Sequence, residues 1–238
     1  MQDQLHRAEA RGAANHGWLQ SHHSFSFASY YNPQRMGFGV LRVINDDIVA
    51  PSMGFPTHPH QNMEIISVPL EGALKHKDTM GNDFVIRKGE VQAMSAGTGI
   101  AHSEYNHSSA EDVNFLQIWV LPKANDIAPN YSQKEFSPEG RAGKFQLVVS
   151  PDGSENSVQI NQDAFFSLVD LSSGNSLEYK KYREENGIYF FLLDGEIKIN
   201  NSVLKTRDAL ATLRKEQITL QAIQDCGLLI MEIPMLEN

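Results

Sequence analysis

The chain has 238 residues, of which 41% are hydrophobic and 21% are charged. These values are ordinary for a globular protein and exclude a disordered or fibrous chain. The formal net charge of −9 argues against binding to nucleic acid, because phosphate contacts need a surface rich in Lys and Arg. No apolar run approaches the roughly 18 residues that span a bilayer, so a membrane protein is not expected.

The first residues predict a short helix from Asp3 to Gly12 and lack the apolar core of a signal peptide. The single cysteine, Cys226, excludes an internal disulfide framework, so we expect a cytoplasmic protein. Cys226 precedes a glycine and an apolar segment, which is typical of a buried thiol rather than a reactive one.

Along the rest of the chain, short segments rich in β-branched and aromatic residues predict strands. They are 40–44, 64–70, 114–120, 145–149, 187–193 and 227–233. Many short strands at close spacing are typical of a sandwich or barrel, so the predicted fold is all-β. Pro69 inside the second segment favours a sheet edge or a bulge at that point.

The two halves of the chain share a coarse repeat. Leu70-Glu71-Gly72-Ala73-Leu74 in the first half is matched by Leu193-Asp194-Gly195-Glu196-Ile197 in the second, and each predicts a strand, a glycine turn and another strand. Residues 124–143 carry prolines, glycines and polar residues without an apolar period, as expected of a linker. We therefore predict two domains, residues 1–123 and 144–238.

The histidines are confined to the first half of the chain. All nine lie within the first 107 residues, which random placement would give less than about once in a thousand sequences. The first domain is therefore expected to carry the chemistry.

Two pairs of side chains in this half have the spacing of metal ligands. His58 and His60 are one residue apart, so an extended backbone places both on the same face, and His102 and Glu104 have the same spacing. On neighbouring strands of a small barrel, the two pairs would form a site of three histidines and one carboxylate. This set suits a divalent first-row metal, and an open coordination position suits catalysis.

The order Gly54…His58-x-His60…Glu64…Gly72, followed by Gly89…Gly97…His102…Asn106, resembles the two motifs of the cupin superfamily. More narrowly, four motifs resemble the pirin family: His23-Ser-Phe-Ser-Phe, Arg35-Met-Gly-Phe-Gly-Val-Leu-Arg-Val-Ile-Asn-Asp-Asp, Gly54-Phe-Pro-Thr-His-Pro-His and Ser95-Ala-Gly-Thr-Gly-Ile-Ala-His-Ser-Glu. The resemblance is continuous over the first half and only general in the second.

This resemblance implies a bicupin, in which two β-barrels (double-stranded β-helices) pack together and the N-terminal barrel alone holds a metal. The implied ligands are His58, His60, His102 and Glu104. Iron(II) is the expected ion, and nickel, copper, cobalt, manganese or zinc would also suit the site. The general cupin pattern places the carboxylate at Glu64, but we follow the pirin pattern because Glu104 also shares a strand face with His102.

Some pirins resemble quercetin 2,3-dioxygenases, which open the flavonol ring with O₂ and release carbon monoxide. The resemblance implies a flavonol and O₂ as substrates, with Glu104 also acting as the catalytic base. Two alternatives stay open: a metal-dependent regulatory module that binds transcription-related or metabolic proteins, and a cupin isomerase in which the ion polarises a carbonyl. A monomer that binds neither nucleic acid nor membrane is expected.

Several aromatic residues near the metal motifs are candidates for the walls of a pocket for a flat substrate, with core packing as the alternative. They are Phe25, Phe27, Tyr30, Phe38, Phe55 and Trp119. The remaining histidines of the motif region, His22, His23, His76 and His107, are interpreted as hydrogen-bonded or exposed residues rather than ligands.

Overall fold

A computed structural model describes residues 3–214 and 217–236 of the chain. The regular structure of these residues is almost entirely β-strand, which confirms the all-β prediction. The helices in the described ranges are three short 3-10 turns, at Ala8–Ala10, Pro138–Gly140 and Ser154–Asn156. Within the same ranges, no helix has the length and apolar character needed to cross a membrane.

All strands of the first half except the first build a barrel from two sheets. The strands of this half are β1 (Gln4–His6), β2 (Gly12–Asn15), β3 (Leu19–His23), β4 (Leu41–Val49), β5 (Gly54–His60), β6 (Glu64–Glu71), β7 (Ala73–Asp78), β8 (Asp83–Arg87), β9 (Glu90–Ser95), β10 (Ile100–Asn106), β11 (Val113–Val120) and β12 (Asn130–Glu135). Seven of them form a sheet in the order β12-β9-β6-β11-β4-β3-β2, and four form a facing sheet in the order β5-β10-β7-β8.

The second half repeats this arrangement. Its strands are β13 (Gln146–Ser150), β14 (Val158–Gln159), β15 (Phe165–Leu171), β16 (Ser176–Tyr179), β17 (Gly187–Asp194), β18 (Glu196–Ile199), β19 (Ser202–Lys205), β20 (Ala209–Thr212), β21 (Ile218–Ala222) and β22 (Cys226–Ile233). They form a seven-stranded sheet, β1-β20-β17-β22-β15-β13-β14, and a four-stranded sheet, β16-β21-β18-β19.

The N-terminus crosses to the second half. Strand β1 pairs with β20, with Leu5 opposite Leu210, and Leu5 packs against the apolar interior of the second barrel. The predicted helix from Asp3 to Gly12 is therefore wrong, because pairing along the free edge of a distant sheet holds these residues extended. The segment predicted as a linker contains β12, which pairs with β9 of the first barrel. The domain bounds 1–123 and 144–238 stay a prediction.

A shared apolar core joins the two seven-stranded sheets. Residues of the first barrel such as Ile44 and Ile66 belong to one buried cluster with Phe166 and Leu229 of the second. The strand containing Pro69 shows the predicted irregularity, since the register of β6 against β11 shifts between Asn114 and Phe115.

The interiors of the two barrels differ. The second is filled by one continuous apolar cluster, which includes Phe190, Ile218 and Leu220 and also the buried Cys226. Burial raises the pKa of the Cys226 thiol to about 11, in agreement with an unreactive thiol. The interior of the first barrel holds two small apolar clusters, and buried polar side chains lie elsewhere on its strands.

Candidate metal centre

The four predicted ligands lie on two adjacent strands of the four-stranded sheet. Strands β5 and β10 pair antiparallel, which places His102 opposite His58 and Ile100 opposite His60. On its other side β10 pairs with β7, so that His102 lies opposite Asp78 and Glu104 opposite His76. The side chains of each predicted pair share a strand face because the backbone of both segments is extended. In β5, Pro56 and Pro59 favour this conformation, since proline fixes its own φ and restricts the preceding residue to extended conformations.

The rings of His58, His60 and His102 form a compact group. Ring centroids lie 4.5 Å apart for His58 and His102, 4.8 Å for His58 and His60, and 4.9 Å for His60 and His102. One nitrogen of each ring lies within 4.8 Å of the others. Such convergence of imidazole nitrogens is what one shared divalent ion requires.

The hydrogen bonds and charges of these rings fit a metal. Nδ1 of His58 donates a hydrogen bond to the carbonyl of Pro56 at 2.8 Å, so the lone pair of the neutral ring lies on Nε2. Nε2 of His102 is buried and has no hydrogen-bond partner among the described residues. A buried polar atom of this kind costs free energy unless a bound ligand contacts it. Burial lowers the pKa of His60 to about 4 and that of His102 to about 2, so both rings are neutral, which is the protonation state that metal coordination requires.

Glu104 is buried next to His102. Its Oε1 accepts a hydrogen bond from Ser67 Oγ at 3.2 Å, and its Oε2 accepts one from Gln117 Nε2 at 2.6 Å. One carboxylate oxygen lies within 4.8 Å of ring nitrogens of His76 and His102. Burial raises the pKa of Glu104 to about 7, so this carboxyl can gain or lose a proton near neutral pH.

Glu64, the alternative carboxylate, has a different environment. It is fully buried, and its Oε2 accepts hydrogen bonds from Ser95 Oγ at 2.6 Å and from the backbone N–H of Asn161 at 3.1 Å. Asn161 belongs to the second half of the chain, so Glu64 helps to join the two barrels. Among the described residues it makes no hydrogen bond to a histidine.

A cavity of about 560 Å³ opens beside the histidines. His58 and Glu104 lie on its wall, and much of the rest is apolar, with Trp18 and Leu19 among the lining residues. Of the aromatic residues predicted from the sequence, Phe27, Phe55 and Trp119 line the cavity.

The other three aromatic candidates do not line this cavity. Phe25 is buried in the core shared by the two barrels, and Phe38 packs against that core. The ring of Tyr30 stacks on His23, with ring centroids 6.3 Å apart. It also covers Gly12, where an added Cβ would lie 2.3 Å from Cγ of Tyr30.

A polar patch on the same cavity was not predicted. Asp47 accepts a short hydrogen bond from Ser21 Oγ, and Nδ1 of His23 lies 2.8 Å from Oδ1 of Asn45. Burial raises the pKa of Asp47 to about 7, with the adjacent Asp46 adding to the shift. The sequence does contain a sign of this patch, because Asp46 and Asp47 closely follow the predicted strand segment 40–44 and belong to β4.

His76 was interpreted as a hydrogen-bonded or exposed residue, and it is fully buried. Its Nε2 lies 3.0 Å from Oδ2 of Asp78, and its Nδ1 lies 3.4 Å from Nδ1 of His102. His76 and Asp78 have the same one-residue spacing as the two predicted pairs, which was the signal in the sequence.

Comparisons with known proteins identify the family of the chain. The family model described as Pirin matches residues 4–120, and the model described as Quercetinase C-terminal cupin domain matches residues 147–233. A quercetin 2,3-dioxygenase from Escherichia coli (strain K12) is 43% identical over 231 residues, which are 97% of this chain and 98% of that protein. A pirin-like protein from Caulobacter vibrioides is 39% identical, over 93% of this chain and 95% of its own length.

A solved structure extends the comparison to the fold. The crystal structure of the bacterial pirin YhhW in complex with nickel(II), from Escherichia coli, superposes with a TM-score of 0.93 at 41% identity. The superposition covers 99% of this chain and 100% of that one. The expected bicupin architecture of two packed β-barrels is thereby confirmed.

Proposed function

The chain belongs to the pirin family, and from this membership and the geometry of the site we propose that it is a metal-dependent dioxygenase that opens the ring of a flavonol such as quercetin. The observation that carries the proposal is Nε2 of His102, which is buried and has no hydrogen-bond partner among the described residues, in a ring that converges with two further imidazoles beside an aromatic-walled cavity. Relatives named quercetin 2,3-dioxygenase support the choice of reaction.

In this proposal His58, His60, His102 and Glu104 hold one divalent ion, with iron(II) as the resident metal and nickel, copper, cobalt, manganese or zinc as possible substitutes. When bound, the ion supplies a positive charge that stabilises an ionised flavonol and a redox centre for the reaction with O₂. Neutral imidazoles are suited to this task because they add no charge to the centre.

Glu104 is the proposed base of the reaction. Its carboxylate would accept the proton of a substrate hydroxyl at an Oε, and burial, which raises the pKa of Glu104 in the metal-free chain, favours the protonated form. The hydrogen bonds from Ser67 and Gln117 fix the orientation of the carboxylate. Replacement of Glu104 by Ala should remove both metal affinity and turnover, whereas Glu64→Ala should retain the metal; the opposite pattern would reverse the assignment.

The aromatic walls position a flat substrate. Trp119 meets the ring of His60 edge to face at 5.0 Å and that of Phe27 at 5.4 Å, so the apolar wall begins directly at the histidine cluster. Apolar faces of this kind bury a planar ligand and keep water from the reacting atoms.

The test is to load the purified protein with ferrous iron under anaerobic conditions and then to add quercetin and air. Loss of the flavonol absorbance with release of carbon monoxide is expected, and His58→Ala should abolish both. His107→Ala is the matched control, because His107 is exposed and lies outside the cluster. No turnover with any divalent metal would overturn the proposal in favour of the regulatory binding module, and conversion of a carbonyl substrate without O₂ consumption would favour the isomerase.

A further inference from the structure

A buried, hydrogen-bonded pair of side chains, His76 and Asp78, lies next to the three-histidine group and has no role in the mechanism above. The side chains of His76 and Asp78 are completely buried, and His76 Nε2 lies 3.0 Å from Asp78 Oδ2. On its other side the His76 ring meets His102, with centroids 5.2 Å apart and the two Nδ1 atoms separated by 3.4 Å. The contacts form a line from Asp78 through His76 to His102.

Asp78 is held as an acceptor of hydrogen bonds. Its Oδ1 accepts from the backbone N–H groups of Met80 at 2.9 Å and Asn82 at 3.1 Å, and its Oδ2 accepts from the side-chain amide of Asn82 at 2.8 Å. A carboxyl surrounded by donors is an ionised carboxylate, which can only accept. The hydrogen bond to His76 therefore requires the proton to be on Nε2 of that ring.

The position of this proton determines the state of the next ring. A neutral imidazole with a proton on Nε2 has a lone pair on Nδ1, so His76 Nδ1 can only accept. The contact between the two Nδ1 atoms is then a hydrogen bond donated by His102. With its proton on Nδ1, His102 has its lone pair on Nε2, the nitrogen that is buried and has no hydrogen-bond partner among the described residues. The ring centroids of His58 and His60 lie 4.5 and 4.9 Å from that of His102.

We propose that Asp78 and His76 are positioning residues that fix the tautomer of His102, so that its Nε2 lone pair points at the metal. The inference rests on the proposed function only in placing a metal at the three-histidine group. For His58 the carbonyl of Pro56 serves the same purpose directly. His102 has no carbonyl acceptor of this kind among its described hydrogen bonds, and the chain supplies a second histidine and a carboxylate instead.

The second barrel supports this reading. The turn glycines Gly72 and Gly195 align the two repeats and place Ile199 at the position of His76. Ile199 is part of the apolar interior of the second barrel, and residues 108–238 of the chain contain no histidine. The buried His76 therefore accompanies the metal cluster and is not required by the fold itself.

The test uses two variants of His76 and nickel(II) alone as the probe. His76→Phe keeps a ring but removes the acceptor, whereas His76→Asn returns a side-chain oxygen near the position of Nδ1. We expect His76→Phe to weaken nickel binding by about 10- to 100-fold, the usual cost of losing a partner of a metal ligand, and His76→Asn to recover part of the loss. His107→Phe, at an exposed histidine, is the matched control and should bind nickel like the wild type.

Nitrogen-15 NMR of the metal-free proteins reads the tautomer directly. His102 should carry its proton on Nδ1 in the wild type and in His76→Asn, and mainly on Nε2 in His76→Phe. Unchanged nickel affinity in His76→Phe, or weakened affinity with an unchanged His102 tautomer, would overturn the inference. A wild type that shows the Nδ1 proton and binds nickel, but does not cleave quercetin, would overturn the proposed function and leave this inference intact.

Discussion

The two barrels share a strand frame and differ in what fills it. Aligned on Gly72 and Gly195, which both have positive φ, the strand registers relate six polar positions of the first barrel to positions of the second. The corresponding pairs are His58 and Tyr179, His76 and Ile199, His102 and Ile218, Glu104 and Leu220, Ser67 and Phe190, and Gln117 and Ile230. Every second-barrel member of these pairs belongs to one buried apolar cluster.

A small set of inward-facing positions therefore separates a candidate catalytic barrel from an apolar one. Buried polar groups cost free energy unless they are hydrogen-bonded, and they interrupt apolar packing. The first barrel accordingly has only two small apolar clusters, whereas the second has a continuous one. The core shared by the two seven-stranded sheets lets the apolar barrel stabilise the polar one.

The largest effect should come from giving the first barrel the residue of the second. His102→Ile removes a proposed ligand, and we expect bound nickel to fall from about one ion per chain to none, with loss of flavonol turnover, because only two of the three converging histidines remain. The matched control is Ile218→Ala at the corresponding position, which should destabilise the fold and keep the metal. Elemental analysis of both variants makes the comparison, and a full complement of nickel in His102→Ile would contradict it.

A second prediction concerns stability at one matched pair of positions. Phe190→Ala should lower the free energy of unfolding by about 3–5 kcal/mol, because it opens a cavity in a continuous apolar core. Ser67→Ala should lower it by only about 1 kcal/mol, the scale of one lost hydrogen bond, while altering turnover through Glu104. Urea denaturation of the metal-free proteins measures both values. Equal losses would show that the two interiors are not energetically different.

A third prediction concerns Asp47. In the second barrel the corresponding residue is Val169, because β4 pairs with β11 in the same register as β15 pairs with β22. The pKa of Asp47 is raised from 3.8 to about 7 in the folded chain. Between these values the folded state holds a proton that the unfolded state has released, so the free energy of unfolding falls as the pH rises.

Asp47→Asn removes this proton linkage and keeps an acceptor for Ser21. From pH 5 to pH 8, the wild type should lose about 2–3 kcal/mol of stability relative to Asp47→Asn. Urea denaturation of the metal-free proteins at the two pH values tests this. Parallel pH dependence in the two proteins would mean that Asp47 is not a buried, proton-binding group.

The sequence predicts those parts of the site that depend on local geometry. The one-residue spacing of His58 and His60, and of His102 and Glu104, implies a shared strand face because the period of two belongs to any strand. His76 and Asp78 have the same spacing, so the sequence also implies that these two side chains share a strand face. By contrast, the pairing of β1 with β20 joins residues more than 200 positions apart, which no local pattern contains.

The cavity walls show the same limit. Phe27 lines the cavity whereas Phe25, two residues earlier, is buried in the shared core, although strand period alone would put both on one face. The residues between β3 and β4 do not form a regular strand, so the face of each aromatic ring depends on tertiary contacts. The polar patch of Ser21 and Asp47 likewise needs the register of β3 against β4, which is a non-local property.

The most direct test of the central claim is the anomalous difference density of a crystal grown with nickel(II). We expect one strong peak in the first barrel, about 2.0–2.2 Å from Nε2 of His102, from one nitrogen each of His58 and His60, and from an oxygen of Glu104, with no peak inside the second barrel. A peak bound by Glu64 in place of Glu104, or a peak inside the second barrel, would contradict it.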